Sequence, residues 1–185
     1  MFEQVQKLFN ENSLKNCYFI YLKKNANKFE SNSISFGKSH WNNKQDLNGD
    51  HIFRILSMSK PITALAAMQL VEKGILNLDS PVEQFLPEIK EIPVLNTDNK
   101  LVKQSKSITL RHLMSHTSGF AYNSLVMNTS KKIKDLSIYM KTILFLKGII
   151  TYIYPFSKGP RLFEAGTDFK YGTGFGFVGM MIEKA

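Results

Sequence analysis

The stretch Phe53-Arg54-Ile55-Leu56-Ser57-Met58-Ser59-Lys60-Pro61-Ile62-Thr63 decides how this 185-residue chain is read. Apolar positions continue beyond it at helical spacing through Leu65, Ala66, Leu70 and Val71, and Gly74 follows as a stop signal. Proline lacks an N–H and its ring clashes with the preceding turn, so Pro61 fits this helix only within its first turn. The helix is therefore predicted to start within a few residues of Ser57. Positions three apart share a helical face, so Lys60 stays beside Ser57 by local geometry alone.

A Ser-x-x-Lys tetrad is a weak signal by itself, since average composition gives roughly one chance match in a chain of this length. This chain has two. The other, Ser35-Phe36-Gly37-Lys38, falls where a strand runs into a turn, and side chains three apart on a strand point to opposite faces. A serine hydroxyl is a poor nucleophile until a neighbouring base removes its proton. Helix placement therefore selects Ser57 as the candidate nucleophile and Lys60 as its activating base. An ordinary lysine, with a pKa of about 10.4, is protonated at neutral pH. Lys60 is expected to be depressed by burial and by cationic or donor neighbours, or to share its proton with a nearby tyrosine. The helix N-terminus adds backbone N–H groups and positive dipole character for a developing oxyanion.

Toward the N-terminus, Phe2, Val5, Leu8, Phe9 and Leu14 line one face of an amphipathic helix over residues 1–14. A β-rich run, Cys17–Lys23, a turn over Lys24-Asn25-Ala26-Asn27 and a weaker alternation over Lys28–Gly37 then predict a hairpin. The polar segment Trp41–Asp50, with its Asn48-Gly49 pair, reads as a loop. Toward the C-terminus, Leu76, Leu78, Val82, Phe85 and Leu86 form a turn-rich apolar stretch ending near Pro87. Ser107-Ile108-Thr109 introduces a helix from Leu110 to about Ser115, closed by Thr117-Ser118-Gly119. A lysine-rich helical region follows, then a loop from Phe163 that enters a last helix.

Three segments together resemble one family. Phe53–Thr63 with Leu70-Val71-Glu72-Lys73-Gly74 is similar to the nucleophile region of the class C β-lactamase-like family of the serine β-lactamase and penicillin-binding-protein superfamily. That family also includes esterases, transesterases and D-alanyl-D-alanine peptidases. Ile108-Thr109-Leu110-Arg111-His112-Leu113-Met114-Ser115-His116-Thr117-Ser118-Gly119 is similar to its second landmark, and Phe163-Glu164-Ala165-Gly166-Thr167 with Tyr171-Gly172-Thr173-Gly174 to its third. The order is the family's, and the likeness spans about residues 50–185. It implies that Tyr171 is the second catalytic base. Thr173 stands where a Tyr-x-Asn motif has Asn, which is closer to the esterase and transesterase branch.

The resemblance implies an α/β (α+β) fold of the β-lactamase/transpeptidase type, with an antiparallel sheet flanked by helices and an all-helical lobe. Residues 1–50 then supply the N-terminal helix and hairpin, and 51–185 the nucleophile helix and helical lobe. No late Lys-Thr-Gly or His-x-Gly strand motif follows Tyr171, so the domain is expected to be incomplete and its C-terminal strands missing. The implied chemistry is acyl transfer through an acyl-enzyme on a small-molecule ester, amide or β-lactam, with no metal and no organic cofactor. A catalytically silent fragment is the leading alternative.

The other signals have plainer readings. A formal charge of +9 admits a basic binding module, but the lysines are scattered from Lys7 to Lys184 and no nucleic-acid motif accompanies them. No nucleic-acid partner is expected. Cys17 is the single cysteine, beside Tyr18, Phe19 and Ile20, and reads as a buried thiol. The opening residues have neither a basic n-region nor an apolar h-region, so a cytoplasmic product is expected. Lys141, Lys147 and Gly148 interrupt the apolar stretch Ile138–Phe156, which argues against stable membrane insertion. His112 and His116 are four apart but lack the Glu of a His-Glu-x-x-His zinc site. Gly174-Phe175-Gly176-Phe177-Val178-Gly179 matches a dinucleotide fingerprint formally, without the βαβ context that motif needs. Those glycines are expected to serve close packing around Tyr171.

Overall fold

The computed structural model describes residues 2–11, 16–25, 28–40, 45–98, 100–122 and 159–185. They divide into two compact units, Met1–Ile55 and Leu56–Ala185.

In the first unit the amphipathic pattern forms helix α1 (Phe2–Glu11). Phe9 stacks on Phe36 at 4.6 Å between ring centroids, which seats α1 on the hairpin. Strands β1 (Asn16–Asn25) and β2 (Lys28–Gly37) pair antiparallel, from Asn16 opposite Gly37 to Asn25 opposite Lys28. The first strand outruns the β-rich stretch Cys17–Lys23 because Lys24 and Asn25 pair with Phe29 and Lys28. Cross-strand bonding thus decides two positions that composition assigned to the turn. Cys17 is half-buried rather than buried.

The second unit begins with a 3₁₀ turn, Leu56–Met58, that runs directly into α2 (Ser59–Glu72). Pro61 is the third residue of α2, inside the first turn as its chemistry requires. At the other end Gly74 adopts φ +71°. Its N–H donates to Val71 O at 3.0 Å and that of Ile75 to Leu70 O at 2.9 Å. This pair of bonds is a Schellman closure, for which glycine is the favoured residue.

Helix α3 (Leu110–Met114) starts at Thr109 with a reciprocal capping box. The Thr109 hydroxyl accepts from the His112 N–H at 3.3 Å, and the Thr109 N–H donates to His112 Nδ1 at 3.2 Å. Histidine here does what Glu or Gln does in the usual box. The final helix, α4 (Gly174–Lys184), packs against both α2 and α3. Ala67, Leu86, Ile89, Ile108, Leu110, Leu113, Phe177 and Val178 make the nearly solvent-free centre of this unit. Phe120 stacks on Phe177 at 4.3 Å. Two 3₁₀ turns, Val82–Gln84 and Pro87–Glu91, carry the stretch read as turn-rich.

A short hairpin, β3 (Val94–Leu95) with β4 (Leu101–Val102), was not anticipated from the sequence. Two-residue strands leave too little alternation to read. Arg161 bridges to it: its N–H donates to Pro93 O and its carbonyl accepts from Leu95 N–H, each at 2.9 Å. The Arg161 side chain is fully buried, and it donates to Gln104 Oε1 at 2.9 Å and to Ser118 O at 3.2 Å. Burial lowers its pKa, while Glu164 and Glu83 favour its charge. The stretch Ile138–Phe156 and the lysine-rich region before it lie outside the described residues. Among the described residues no helix is long and apolar enough to cross a membrane.

This core predicts that Phe177→Ala, at a position 1% exposed, destabilises the chain by about 3–5 kcal/mol. Ile62→Ala, on the open side of α2 at 63% exposure, is expected to cost less than about 1 kcal/mol. Urea unfolding of the two variants measures the contrast, and equal losses would remove α4 from the core.

Candidate active site

Leu56 has φ +45°, a left-handed value that costs a non-glycine residue roughly 1–2 kcal/mol. The kink it introduces precedes Ser57, which is exposed within the 3₁₀ turn at the mouth of α2. One turn on, Lys60 Nζ lies 3.2 Å from Ser57 Oγ. The Tyr171 hydroxyl oxygen lies 2.8 Å from the same Ser57 oxygen, across 114 residues of sequence. The structure thus brings Ser57, Lys60 and Tyr171 together on one oxygen.

Tyr171 is delivered by a loop laced to the turn after α3. The N–H groups of Leu162, Gly166 and Lys170 donate to the carbonyls of Gly119, Thr117 and His116, each at 2.9 Å. Gly172 N–H donates to the His116 side chain, Nδ1, at 3.3 Å. Two glycines let the backbones meet. A Cβ on Gly172 would fall 2.2 Å from Phe120 O, and one on Gly119, already at φ +86°, 2.3 Å from Phe163 O.

The charge at the site is organised around phenols. Lys60 Nζ sits 4.9 Å from the centre of the Tyr171 ring and 6.0 Å from that of Phe175, both within cation–π range. The expected depression of Lys60 is reversed. Its pKa is raised, first by the hydrogen bond to Tyr171, with burial opposing and Tyr122 adding to the rise. Tyr171 moves the other way: its hydrogen bonds to Lys60 and then to Ser57 hold its phenol below the usual value. The neighbours of Lys60 are proton donors that become anions, not cations that would repel its charge. Met58 provides no side-chain cap to α2, so the first-turn N–H groups beside Ser57 are not spent on one.

The remaining candidates separate cleanly. In the rival tetrad, Lys38 Nζ is paired with the Asp46 carboxylate, and Ser35 lies within β2 opposite Tyr18. His112 is used by the capping box. Among the described residues no group of three or more His, Cys, Asp or Glu side chains could hold a metal. Of the fingerprint glycines, Gly174 is a close-packing position, its added Cβ falling 2.6 Å from Leu113 O, whereas Gly179 has open space. Thr173 is buried at the N-cap of α4.

Two further residues lie at the site, His116 and Tyr122, to neither of which the sequence reading gave a role there. The His116 ring lies tilted against that of Tyr171, 4.4 Å between centroids. Tyr122 lies 5.9 Å from the Tyr171 ring, and it adds to the rise of the Lys60 pKa and to the lowering of the Tyr171 pKa. The left-handed turn at Gly119 carries Tyr122 there, and no sequence spacing reveals it.

With this geometry in view, the comparisons identify the class. A family model described as Beta-lactamase matches residues 30–185, and the chain belongs to that family. The esterase EstB of Burkholderia gladioli is 31% identical over 136 residues, covering 74% of this chain and 33% of EstB. The acyltransferase calJ of Penicillium decumbens is 28% identical over 144 residues, covering 75% of this chain and 32% of calJ. Unliganded simvastatin synthase (LovD) from Aspergillus terreus superposes with a TM-score of 0.72 at 23% identity, over 96% of this chain and 46% of that one. The fold is the β-lactamase/transpeptidase fold. The chain spans about a third of the length of the curated relatives it matches.

The opposed shifts predict that Tyr171 ionises below the ordinary tyrosine value and that Lys60→Met raises its midpoint. The difference in phenolate absorbance between wild type and Tyr171→Phe isolates this one of seven tyrosines. A midpoint indifferent to Lys60→Met would dissolve the coupling.

Proposed function

We propose that this chain carries the nucleophile side of a serine acyl-transfer site acting on small-molecule esters, amides or β-lactams. The observation that carries the reading is Ser57 Oγ within hydrogen-bond reach of both Lys60 and Tyr171. Lys60 remains an ammonium and donates to Ser57. Tyr171, favoured toward phenolate by that cation, is the general base, so the activating role that the sequence reading gave first to Lys60 falls to the residue it gave as second base.

In the first half-reaction the Ser57 proton passes to the Tyr171 phenolate as Ser57 Oγ bonds to the carbonyl carbon. The carbonyl π electrons move to oxygen, where the N–H groups at the start of α2 face developing negative charge. Collapse of the tetrahedral adduct breaks the bond to the leaving group, which takes the proton from Tyr171. Water or a second alcohol then reacts with the acyl-Ser57 ester, giving its proton to Tyr171. Expulsion of Ser57 returns that proton to Ser57 Oγ. The likeness to an esterase and an acyltransferase supports carbonyl acyl transfer as the reaction class. Thr173 in place of Asn favours esters over β-lactams as the first substrates to try.

Covalent labelling with a fluorophosphonate probe tests the reading. Ser57→Ala is expected to abolish labelling and Ser35→Ala to leave it intact. Lys60→Met and Tyr171→Phe should each slow it by about 10²–10⁴-fold, the usual contribution of proton transfer. Labelling that survives Ser57→Ala overturns the assignment, and a wild-type chain that takes no probe supports the silent alternative.

A further inference from the structure

We propose that His116 is a positioning residue that holds Tyr171 against Ser57 only while its ring is neutral, making the site lose its geometry on acidification. This rests on the acyl-transfer reading above.

The contact that fixes the protonation state is the one from Gly172. A backbone N–H can only donate, so His116 Nδ1, 3.3 Å away, must accept with its lone pair. The ring is then neutral with its proton on Nε2. A protonated imidazole has donors at both nitrogens and nothing to offer Gly172, the residue next to Tyr171. His116 also accepts through its carbonyl from Lys170 N–H, on the other side of Tyr171. One residue therefore holds the backbone on both sides of the tyrosine, and its ring packs at a tilt against the tyrosine between them.

The surroundings set the direction of the switch. Phe169 packs edge-on to the ring at 6.2 Å and Phe175 lies at 5.5 Å. Lys60 on α2 is the charged group acting on the ring, Tyr171 is the titratable group against it, and Tyr122 lies beyond Tyr171. Burial first, and Lys60 second, lower the His116 pKa below the ordinary value. Protonation would place a second cation beside Lys60. The sign follows: His116 is neutral at pH 7, and the latch is lost as pH falls through its lowered pKa.

His116 also sits at φ +60°, where asparagine is among the few tolerated side chains. Asparagine supplies an acceptor oxygen close to the position of Nδ1 and does not titrate. His116→Asn is thus the conservative variant, and His116→Leu the disruptive one.

The test uses the whole chain. By NMR, the Gly172 amide resonance should follow the His116 titration with one shared midpoint and become flat in His116→Asn. In pH–rate profiles with a chromogenic ester, the wild-type acid limb should steepen from a one-proton to a two-proton slope. That of His116→Asn should keep the one-proton slope. His116→Leu should lower kcat by roughly 10–100-fold, the scale of about 1 Å of misplacement, and His116→Asn should recover most of that loss. If Gly172 ignores His116, or the two acid limbs superimpose, the inference is overturned. If Gly172 follows His116 but Ser57 takes no acyl probe, the latch stands and the acyl-transfer reading fails.

Discussion

The distance from Tyr171 to Ser57 depends on the close approach of two backbone segments, the turn at 116–121 and the loop at 161–174. Leu162, Gly166, Lys170 and Gly172 all hydrogen-bond across this seam, to Gly119, Thr117 and the His116 carbonyl and ring. A bond between neutral groups contributes only about 0.5–1.5 kcal/mol net, but leaving such buried groups unpaired would cost more. Gly119 and Gly172 are the positions where any side chain would collide with the opposite backbone. Arg161 reinforces the seam from beneath, its buried guanidinium reaching Ser118 O while its own backbone joins β3. Tyr171 reaches Ser57 because these contacts leave the loop one path.

The electrostatics follow from what the seam brings together: Lys60 and Tyr171 shift one another, with Tyr122 acting on both and Ser57 on Tyr171. A lysine beside phenols keeps its proton, and a phenol beside an ammonium gives its proton up more readily. Each of the two therefore favours the other's charged form, with the Ser57 oxygen between them.

Much of this was legible in the sequence, and what was not has a physical reason. Pro61 and Gly74 bounded α2 because a helix admits proline without distortion only in its first turn, and glycine takes the left-handed φ of the closure without strain. The choice of Ser57 over Ser35 followed from helical periodicity, and the ion pair that occupies Lys38 agrees with it. Tyr171 was found through resemblance alone, since no local rule links residues 114 positions apart. The direction of the Lys60 shift was misjudged because it depends on which groups tertiary structure places beside the amine. His116 and Tyr122 were given no role at the site for a related reason: left-handed backbone at His116 and Gly119 shapes the turn that carries them, and composition does not record φ.

The left-handed backbone at Leu56 sets stability against precision at one spot. Glycine there would relieve strain on the order of 1–2 kcal/mol but would loosen the serine that follows. Drift among natural sequences, which tends to shed strain wherever function permits, has a ready exit at this position. A chain that retains leucine in that conformation holds its serine by the narrower backbone freedom of a residue with a Cβ, the Leu56 side chain itself being exposed, and a thermostabilised descendant that gains glycine there would trade acylation rate for melting temperature.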